Sequence, residues 1–138
     1  MSIGILIITH NGIGSSLLET ATNMLGVCPL HTETLAVTPD ADPDLVLQQA
    51  QGMAEDLDQG DGVLVLTDMF GSTPSNIATG LRRAGRVAVV AGLNLPMLVR
   101  VLNYPTLDLQ ALVEKAVSGG NRGVLCCRRP EREGLGGR

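Results

Sequence analysis

The chain is predicted to be an α/β protein with an open parallel sheet that helices cover on both faces. Short apolar runs alternate with amphipathic helical patterns along almost the whole sequence. Several of these runs are continuously apolar and rich in Ile, Val and Leu, which is typical of strands buried on both faces. The 138 residues are enough for one domain with a sizeable core and too few for two.

Five segments have the composition and length of strands. The first, 3–8, is a continuous Ile-rich run, and 62–67 and 86–91 have the same buried character. The segment 32–37 is less apolar and is predicted to be an edge strand. The segment 122–127 is predicted to be a last, short strand.

Five further segments are predicted to be helices from their periodicity and from the residues that begin or end them. They are 16–26, 42–57, 73–85, 94–103 and 106–120. Ser16 and Glu19 have the spacing of a capping box, while Asp42 and Thr73 each precede a proline at a predicted helix start. Gly85 is predicted to end the third helix.

Composition excludes several classes of protein. The net charge is −4 and no basic patch occurs before the last dozen residues, which argues against nucleic-acid binding. No apolar run approaches the length of a membrane-spanning helix, and the first ten residues lack the basic region of a signal peptide. Three cysteines, two of them adjacent, form neither a disulfide framework nor a metal knuckle. We therefore expect a reduced, cytoplasmic protein.

Two titratable side chains follow predicted buried strands. His10 follows the strand 3–8, and Asp68 follows the strand 62–67. Open parallel sheets bind ligands beyond the carboxyl ends of their strands, where the strand order reverses. If these two strands are neighbours, both side chains face one crevice. Asp68 could then fix the tautomer of His10 and leave the other ring nitrogen free as a nucleophile.

The segment after Asp68 has the features of an anion site. It reads MFGSTPSN and enters a helix, so it offers free backbone N–H groups together with small side chains. Gly71, Ser72 and Thr73 are the predicted phosphate-binding residues. Phosphoryl transfer depends mainly on positioning and on stabilising the phosphoryl oxygens, so this set suffices without a metal or a cofactor.

Each of these residues also has a purely structural explanation. A histidine at a strand end is commonly structural, an aspartate there is often a turn residue, and Thr73 followed by proline caps a helix without any ligand. Other motifs are incomplete. Gly12 and Gly14 suggest a dinucleotide site, but Leu17 occupies the position of the third glycine. Neither a P-loop nor an esterase nucleophile elbow is present.

Three segments resemble a known family. They read GILIITHNGIGSSLLETATNMLG, GVLVLTDMFGSTPSNIA and VVAGLNLPMLV. Their TH pair, their D-x-[FW]-G-[GS]-[ST]-P turn and their G-x-N-x-P-M-L segment resemble the enzyme IIA component of the mannose family of the bacterial sugar phosphotransferase system (PTS). The resemblance extends from Ile3 to Cys127 and predicts a IIA domain over 1–127, followed by a flexible tail over 128–138.

The resemblance implies a fold, a site and partners. The implied sheet is doubly wound and mostly parallel, with order 2-1-3-4 in a three-layer arrangement. An antiparallel edge strand, for which 122–127 is the counterpart, is exchanged between the subunits of a homodimer. By the same resemblance, His10 is phosphorylated, Asp68 orients it, and Thr73 with Ser72 contacts the phosphoryl group. The small phosphocarrier protein HPr is the implied donor and an enzyme IIB component the implied acceptor.

Two departures from the family pattern leave alternatives open. Asn11 stands where glycine is common, and Phe70 where tryptophan is often found. Some members continue into a IIB domain, whereas this chain ends at Arg138. A regulatory IIA protein, whose His10 phosphorylation controls a partner, is therefore an alternative to a sugar-uptake component. The phosphoryl-donor subunit of a dihydroxyacetone kinase is a third, but the turn DMFGSTPSN fits the mannose type better.

Overall fold

A computed structural model describes residues 2–128, which form a four-stranded sheet and five helices. The strands are β1 (Gly4–His10), β2 (Thr32–Val37), β3 (Val63–Thr67) and β4 (Val87–Ala91), and the helices are α1 (Ile13–Leu25), α2 (Pro43–Leu57), α3 (Thr73–Thr79), α4 (Leu95–Leu102) and α5 (Leu109–Arg122). All pairings are parallel and the strand order is β2-β1-β3-β4, as predicted. Of the predicted tail over 128–138, residues 129–138 lie outside the described residues.

The sheet is doubly wound, with a separate apolar core on each face. On one face, Ile5 and Ile7 of β1 pack with residues of α1, α4 and α5. On the other face, Leu6 and Ile8 pack with residues of α2 and α3. Successive strand residues point to opposite faces, so a continuous apolar run supplies both cores. This explains why β1 carries no polar residue before its last two positions and β3 none before its last, and it confirms the three-layer prediction.

Side-chain caps define the starts of most of the helices. The caps of two helices, α1 and α3, differ from those predicted. Asp42 accepts from the Asp44 N–H and caps α2, as expected. The predicted capping box is wrong, because α1 begins at Ile13 and Ser16 lies inside it. The cap of α3 is Ser72, whose hydroxyl accepts from the Ser75 N–H, and Thr73 is the first helical residue.

The third helix is also shorter than predicted. It ends at Thr79, not near Gly85. After it, the N–H groups of Leu81 and Arg82 donate to carbonyls three residues back, which is the tighter spacing typical of a helix that is ending. The remaining residues turn the chain into β4.

The predicted strand over 122–127 is not formed in the described chain. Arg122 is the last residue of α5, and 123–128 is exposed and has no regular secondary structure. A strand is defined by hydrogen bonds to a neighbouring strand, and this segment makes none with β4 or β2, the edge strands of the sheet. Among the described residues of one chain the segment thus has no strand to pair with, and the predicted exchange between subunits stays a prediction.

Candidate functional site

The predicted residues meet at the point where the strand order reverses. From the neighbouring strands β1 and β3, the chain continues to β2 on one side and to β4 on the other. His10 is the last residue of β1, and Asp68 directly follows β3. Ile8 is in register with Thr67, so the two carboxyl ends lie side by side. The parallel pairing therefore brings the imidazole and the carboxylate together, as the sequence predicted.

His10 and Asp68 are joined by two hydrogen bonds. The ring Nδ1 lies 2.9 Å from Oδ2 of Asp68, and the His10 backbone N–H donates to the same oxygen at 3.0 Å. The other carboxylate oxygen, Oδ1, accepts from the Met69 N–H at 3.0 Å. The Asp68 side chain is only 12% exposed, whereas that of His10 is 43% exposed. The carboxylate is thus fixed and the ring remains accessible.

The environment of Asp68 keeps it ionised. Burial alone would raise the pKa of its carboxyl group. The hydrogen bonds from the His10 ring and backbone, the charge of His10 when protonated, and the Met69 N–H all act in the opposite direction and together hold the pKa of Asp68 below its ordinary value. A carboxylate can only accept a hydrogen bond, so Nδ1 of His10 carries the proton that it donates to Asp68.

This proton arrangement leaves the lone pair of the imidazole on Nε2 of His10. In a neutral imidazole with a proton on Nδ1, the lone pair is on Nε2. No residue in 2–128 makes a hydrogen bond to Nε2. The site therefore presents an exposed nucleophilic nitrogen whose tautomer is held by a buried carboxylate.

The loop after His10 is held by a residue that the sequence analysis did not single out. Thr9 is buried, and its hydroxyl accepts from the Gly14 N–H at 2.8 Å and donates to the Asn11 carbonyl at 3.4 Å. Asn11 has a φ of 47°, in the left-handed region, and its N–H donates to the Val37 carbonyl. Thr9 could have been found from the sequence, because it is a polar residue that follows an apolar run and directly precedes His10.

Gly14 has a packing role, which explains the partial glycine motif. A Cβ on this residue would lie 2.7 Å from Cγ2 of Ile7 and 3.1 Å from Oγ1 of Thr9. Real Cβ atoms do not approach that closely, so only glycine lets α1 begin against the end of β1. Gly14 is thus explained by packing without a dinucleotide, whereas a Cβ on Gly12 would meet no neighbouring atom.

The turn between β3 and α3 contains the three predicted phosphate-binding residues, and they differ in their contacts. The Ser72 hydroxyl donates to the Met69 carbonyl at 2.6 Å, and the Gly71 N–H donates to the Ser75 hydroxyl at 3.3 Å. Both groups are therefore engaged inside the turn. Thr73 instead lines a surface depression together with His10.

The depression beside His10 is open and mostly uncharged. Its volume is about 250 Å³, and besides His10 and Thr73 its walls are formed by Asn11, by Pro74 and by residues between the end of β2 and the start of α2. A second depression, of about 260 Å³, adjoins it at Pro43 and Thr73 and extends between α2 and α3. Together they form a shallow trough that runs away from the imidazole.

A larger cavity lies elsewhere on the molecule. It has a volume of about 430 Å³ and is bounded by the segment 82–88, the residues before β3 and the start of α5. These segments lie at the amino ends of β3 and β4, at the edge of the sheet opposite His10. None of the predicted site residues lines it.

Two features are absent from the described part of the chain. Among residues 2–128, no group of three or more His, Cys, Asp or Glu side chains is arranged to hold a metal ion. In the same range, no helix has the length and hydropathy needed to cross a membrane.

Comparison with known proteins identifies the family of the chain. Residues 4–117 match the family described as "PTS system fructose IIA component". The chain is 33% identical over 129 residues to the "PTS system mannose-specific EIIAB component" of Escherichia coli (strain K12), a match that covers 90% of this chain and 39% of that protein. It is 27% identical over 116 residues to the "Transcriptional regulatory protein LevR" of Bacillus subtilis (strain 168), covering 81% of this chain and 12% of that protein.

Similarity also extends to solved structures. The mannose/sorbose specific IIA subunit of the phosphotransferase system from Enterococcus faecalis superposes with a TM-score of 0.82, at 22% identity. The match covers 95% of this chain and 98% of that one. At that level of identity the comparison supports the fold, and the chain spans well under half the length of the E. coli relative named above.

Proposed function

The chain belongs to the PTS IIA family described as "PTS system fructose IIA component", and from this membership we propose that it is a phosphoryl carrier in which His10 is transiently phosphorylated. The observation that carries the proposal is the contact of 2.9 Å between Nδ1 of His10 and Oδ2 of Asp68. It fixes the proton on Nδ1 and leaves Nε2, on an accessible ring, to attack phosphorus.

The proposed step transfers one phosphoryl group between two nitrogen atoms. Nε2 of His10 supplies its lone pair to phosphorus, and a new N–P bond forms as the N–P bond of the donor histidine breaks. The donor nitrogen leaves with the electrons of the broken bond. The His10 ring then carries a positive charge, and the buried carboxylate of Asp68 stabilises it through the Nδ1–H hydrogen bond.

Thr73, Ser72 and Gly71 are proposed to contact the phosphoryl oxygens. The position of Thr73 supports this contact most directly, because Thr73 lines the same depression as His10. The Ser72 hydroxyl and the Gly71 N–H are engaged within the turn, so their participation requires that a phosphoryl group replace the partners they now have. The transferring oxygens carry the charge that such donors stabilise.

HPr is the proposed phosphoryl donor and an enzyme IIB component is the proposed acceptor. We propose that the protein carries out this transfer in the cytoplasm, as part of a sugar-uptake system. Support comes from the family and from the E. coli relative, whose name contains both IIA and IIB components. Both partners are proteins, which agrees with an exposed imidazole in an open depression.

Incubation with phosphoenolpyruvate, enzyme I and HPr tests the proposal. We expect the mass of the chain to increase by one phosphoryl group in the wild type and to remain unchanged in His10→Gln. His31→Gln is the matched control, since His31 is the other histidine, is exposed, and its ring contacts Glu33 on the protein surface. Phosphorylation of His10→Gln, or its loss in His31→Gln, would contradict the assignment.

We further propose that the protein is a homodimer in which 123–128 pairs with the partner's β4. In the described chain this segment has no strand partner, and its Val124 and Leu125 are exposed. β4 is an edge strand with an unpaired side. Light scattering at micromolar concentration should report a dimer, and replacing both Val124 and Leu125 with Ser should shift it toward monomer. A wild-type protein that is entirely monomeric would exclude this arrangement.

A regulatory role is the second candidate function, and the similarity to LevR favours it. The chemistry at His10 would be the same, but the phosphorylated protein would control a partner and would not pass the group to IIB. Mixing the phosphorylated protein with IIB components of mannose-type systems distinguishes the two roles. Rapid loss of the phosphoryl group supports the uptake role, and retention with all of them supports the regulatory one.

A further inference from the structure

The cavity at the amino ends of β3 and β4 is bordered by three arginines. Its volume is about 430 Å³, and Arg82, Arg83 and Arg86 belong to the wall formed by the segment 82–88. Cavities that bind small molecules usually have volumes of about 300–1,000 Å³. Because the chain as a whole has a net charge of −4, three arginines within five residues are a local concentration of positive charge. The cavity is therefore suited in size and charge to a small anion.

Main-chain hydrogen bonds close the turn that carries these arginines. The Arg86 N–H donates to the Arg83 carbonyl at 3.0 Å, and the Arg83 N–H donates to the Val87 carbonyl at 3.1 Å. Within the turn, Gly85 has a φ of 75°, in the left-handed region that glycine adopts without strain. The backbone alone thus holds the arginine wall in place, without help from the arginine side chains.

One of the three arginines joins two walls of the cavity. The guanidinium of Arg86 donates to Oδ2 of Asp58 and, at 3.1 Å, to the Gly60 carbonyl. Oδ1 of Asp58 accepts from the N–H groups of Gly60 and Gly62 at 2.9 and 3.2 Å. This network connects the loop before β3 to the turn before β4, so the space between them is formed before any ligand arrives.

The other two arginines have charge available for a ligand. Neither Arg82 nor Arg83 forms a side-chain hydrogen bond or an ion pair with any residue in 2–128, and both are exposed. Arg83 also lines an adjoining cavity of about 170 Å³, whereas Arg82 lines only the larger one. Guanidinium groups without a carboxylate partner are well suited to bind the oxygens of a phosphate group.

The remaining walls carry hydrogen-bond acceptors. Asp61 precedes β3 and Asp108 precedes α5, and both line the cavity. Oδ2 of Asp61 accepts from the Ser2 N–H, and Oδ1 of Asp108 accepts from the Ala111 N–H. The second oxygen of each carboxylate has no donor among residues 2–128. Such oxygens accept from the hydroxyl groups of a ligand and repel a second anionic group.

The apolar side chains of the cavity are aliphatic. They include Val87 and Ala88 at the start of β4 and Leu109 at the start of α5. None of the residues that line the cavity is aromatic, so a flat aromatic ring would gain no stacking contact there. An aliphatic ligand is therefore favoured over a nucleotide.

We propose that this cavity binds a small phosphate monoester that carries several hydroxyl groups, as a phosphorylated sugar or polyol does. Arg82 and Arg83 bind the phosphate oxygens, and the free carboxylate oxygens of Asp61 and Asp108 accept from the hydroxyl groups. The cavity shares no residue with the depression beside His10. This inference goes beyond the proposed function and does not depend on it, so His10→Gln should bind the ligand as well as the wild type does.

Titration of the full chain, labelled with ¹⁵N, tests the site and locates it. The probes are glucose 6-phosphate, glucose and inorganic phosphate. We expect glucose 6-phosphate to shift the ¹H–¹⁵N signals of Gly60, Gly85 and Leu109 with a Kd of about 1 mM or lower. Inorganic phosphate should bind at the same place about tenfold more weakly, because it lacks the sugar hydroxyl groups. Glucose should not bind measurably, because it lacks the charge that the arginines bind.

Removing the two unpaired arginines should weaken binding. Arg82→Gln with Arg83→Gln should raise the Kd for glucose 6-phosphate at least about tenfold. The fold should be preserved, because the main chain closes the turn. The control is Arg122→Gln with Arg128→Gln, which removes the same charge from exposed residues that do not line the cavity. The control should leave the Kd unchanged.

Asp61→Ala separates contact with hydroxyl groups from a general effect of charge. It should weaken the binding of glucose 6-phosphate about threefold, because an acceptor is lost. It should strengthen the binding of inorganic phosphate by a similar factor, because a repelling charge is lost. If Asp61 acted only through its charge, both ligands would bind more tightly.

Three results would overturn the proposal. They are the absence of shifts up to about 10 mM glucose 6-phosphate, shifts confined to residues around His10, and equal Kd values for glucose 6-phosphate and inorganic phosphate. An equal loss of binding in the arginine pair and in its control would also contradict it. None of these results bears on phosphorylation of His10, which is measured by mass. Saturable shifts around the cavity that weaken only when Arg82 and Arg83 are replaced would support it.

Discussion

Thr9 and Gly14 are joined by a hydrogen bond of 2.8 Å between a side-chain hydroxyl and a backbone N–H, and the loop that they close contains His10. The same hydroxyl reaches the carbonyl of Asn11. The first turn of a helix has N–H groups without intrahelical partners, and Thr9 satisfies one of them from the end of the preceding strand. A single buried side chain thus connects β1, the loop that follows His10, and α1.

Replacing Thr9 with Val should destabilise the protein while Thr9→Ser should largely preserve it. Valine has nearly the same shape but leaves the Gly14 N–H buried without an acceptor, which costs about 1–3 kcal/mol. Urea unfolding of the three proteins gives the comparison. Equal midpoints for wild type and Thr9→Val would show that the hydroxyl contributes nothing to stability.

Asn11 should tolerate glycine better than alanine. Its φ of 47° is accessible to Asn and Gly but is unfavourable for Ala by about 1 kcal/mol. We expect Asn11→Gly to remain close to the wild type and Asn11→Ala to lose about that amount in urea unfolding. If Asn11→Ala is as stable as Asn11→Gly, the left-handed conformation is not maintained in solution.

Asp68→Asn should slow phosphorylation of His10 without unfolding the chain. The amide still accepts from the His10 backbone N–H, but it no longer supplies a negative charge to the phosphorylated ring and no longer fixes the proton on Nδ1. A decrease of at least about tenfold is expected for an orienting carboxylate. The rate of phosphorylation by HPr measures it, and circular dichroism reports whether the fold is intact. If Asp68→Asn is phosphorylated at the wild-type rate, Asp68 does not orient His10.

Stability should depend on pH through Asp68. Its pKa is lower in the folded protein than its ordinary value of 3.8, so between the two pKa values the unfolded chain binds more protons. The resulting stabilisation is complete above pH 3.8 and is lost as the pH falls through the folded-state pKa. Urea unfolding from pH 6 downward should therefore show the advantage of wild type over Asp68→Asn shrinking in acid. A difference that stays constant to about pH 2 would contradict the lowered pKa.

The features that the sequence predicted are those set by local pattern and by parallel pairing. Continuous apolar runs located the ends of β1, β3 and β4 to within two residues, because a strand buried on both faces tolerates no polar residue in its middle. The contact of His10 with Asp68 followed from their positions after neighbouring parallel strands.

The errors occurred where tertiary contacts outweigh local pattern. The start of α1 is fixed by Thr9 from outside the helix, so the capping box at Ser16 was misleading. The strand predicted over 122–127 was expected to pair with another subunit, and among the described residues of a single chain no strand lies beside it. The engagement of the Ser72 hydroxyl inside its own turn also could not be read from the motif, because it depends on the turn geometry.

The most direct test of the central claim is to identify the phosphorylated atom by nuclear magnetic resonance. The chain, labelled with ¹⁵N in histidine, would be phosphorylated by phosphoenolpyruvate, enzyme I and HPr. The account predicts one phosphoryl group, with ³¹P–¹⁵N coupling to Nε2 of His10 and a proton retained on Nδ1. Coupling to Nδ1 of His10, or a phosphoryl group on any other residue, would contradict it.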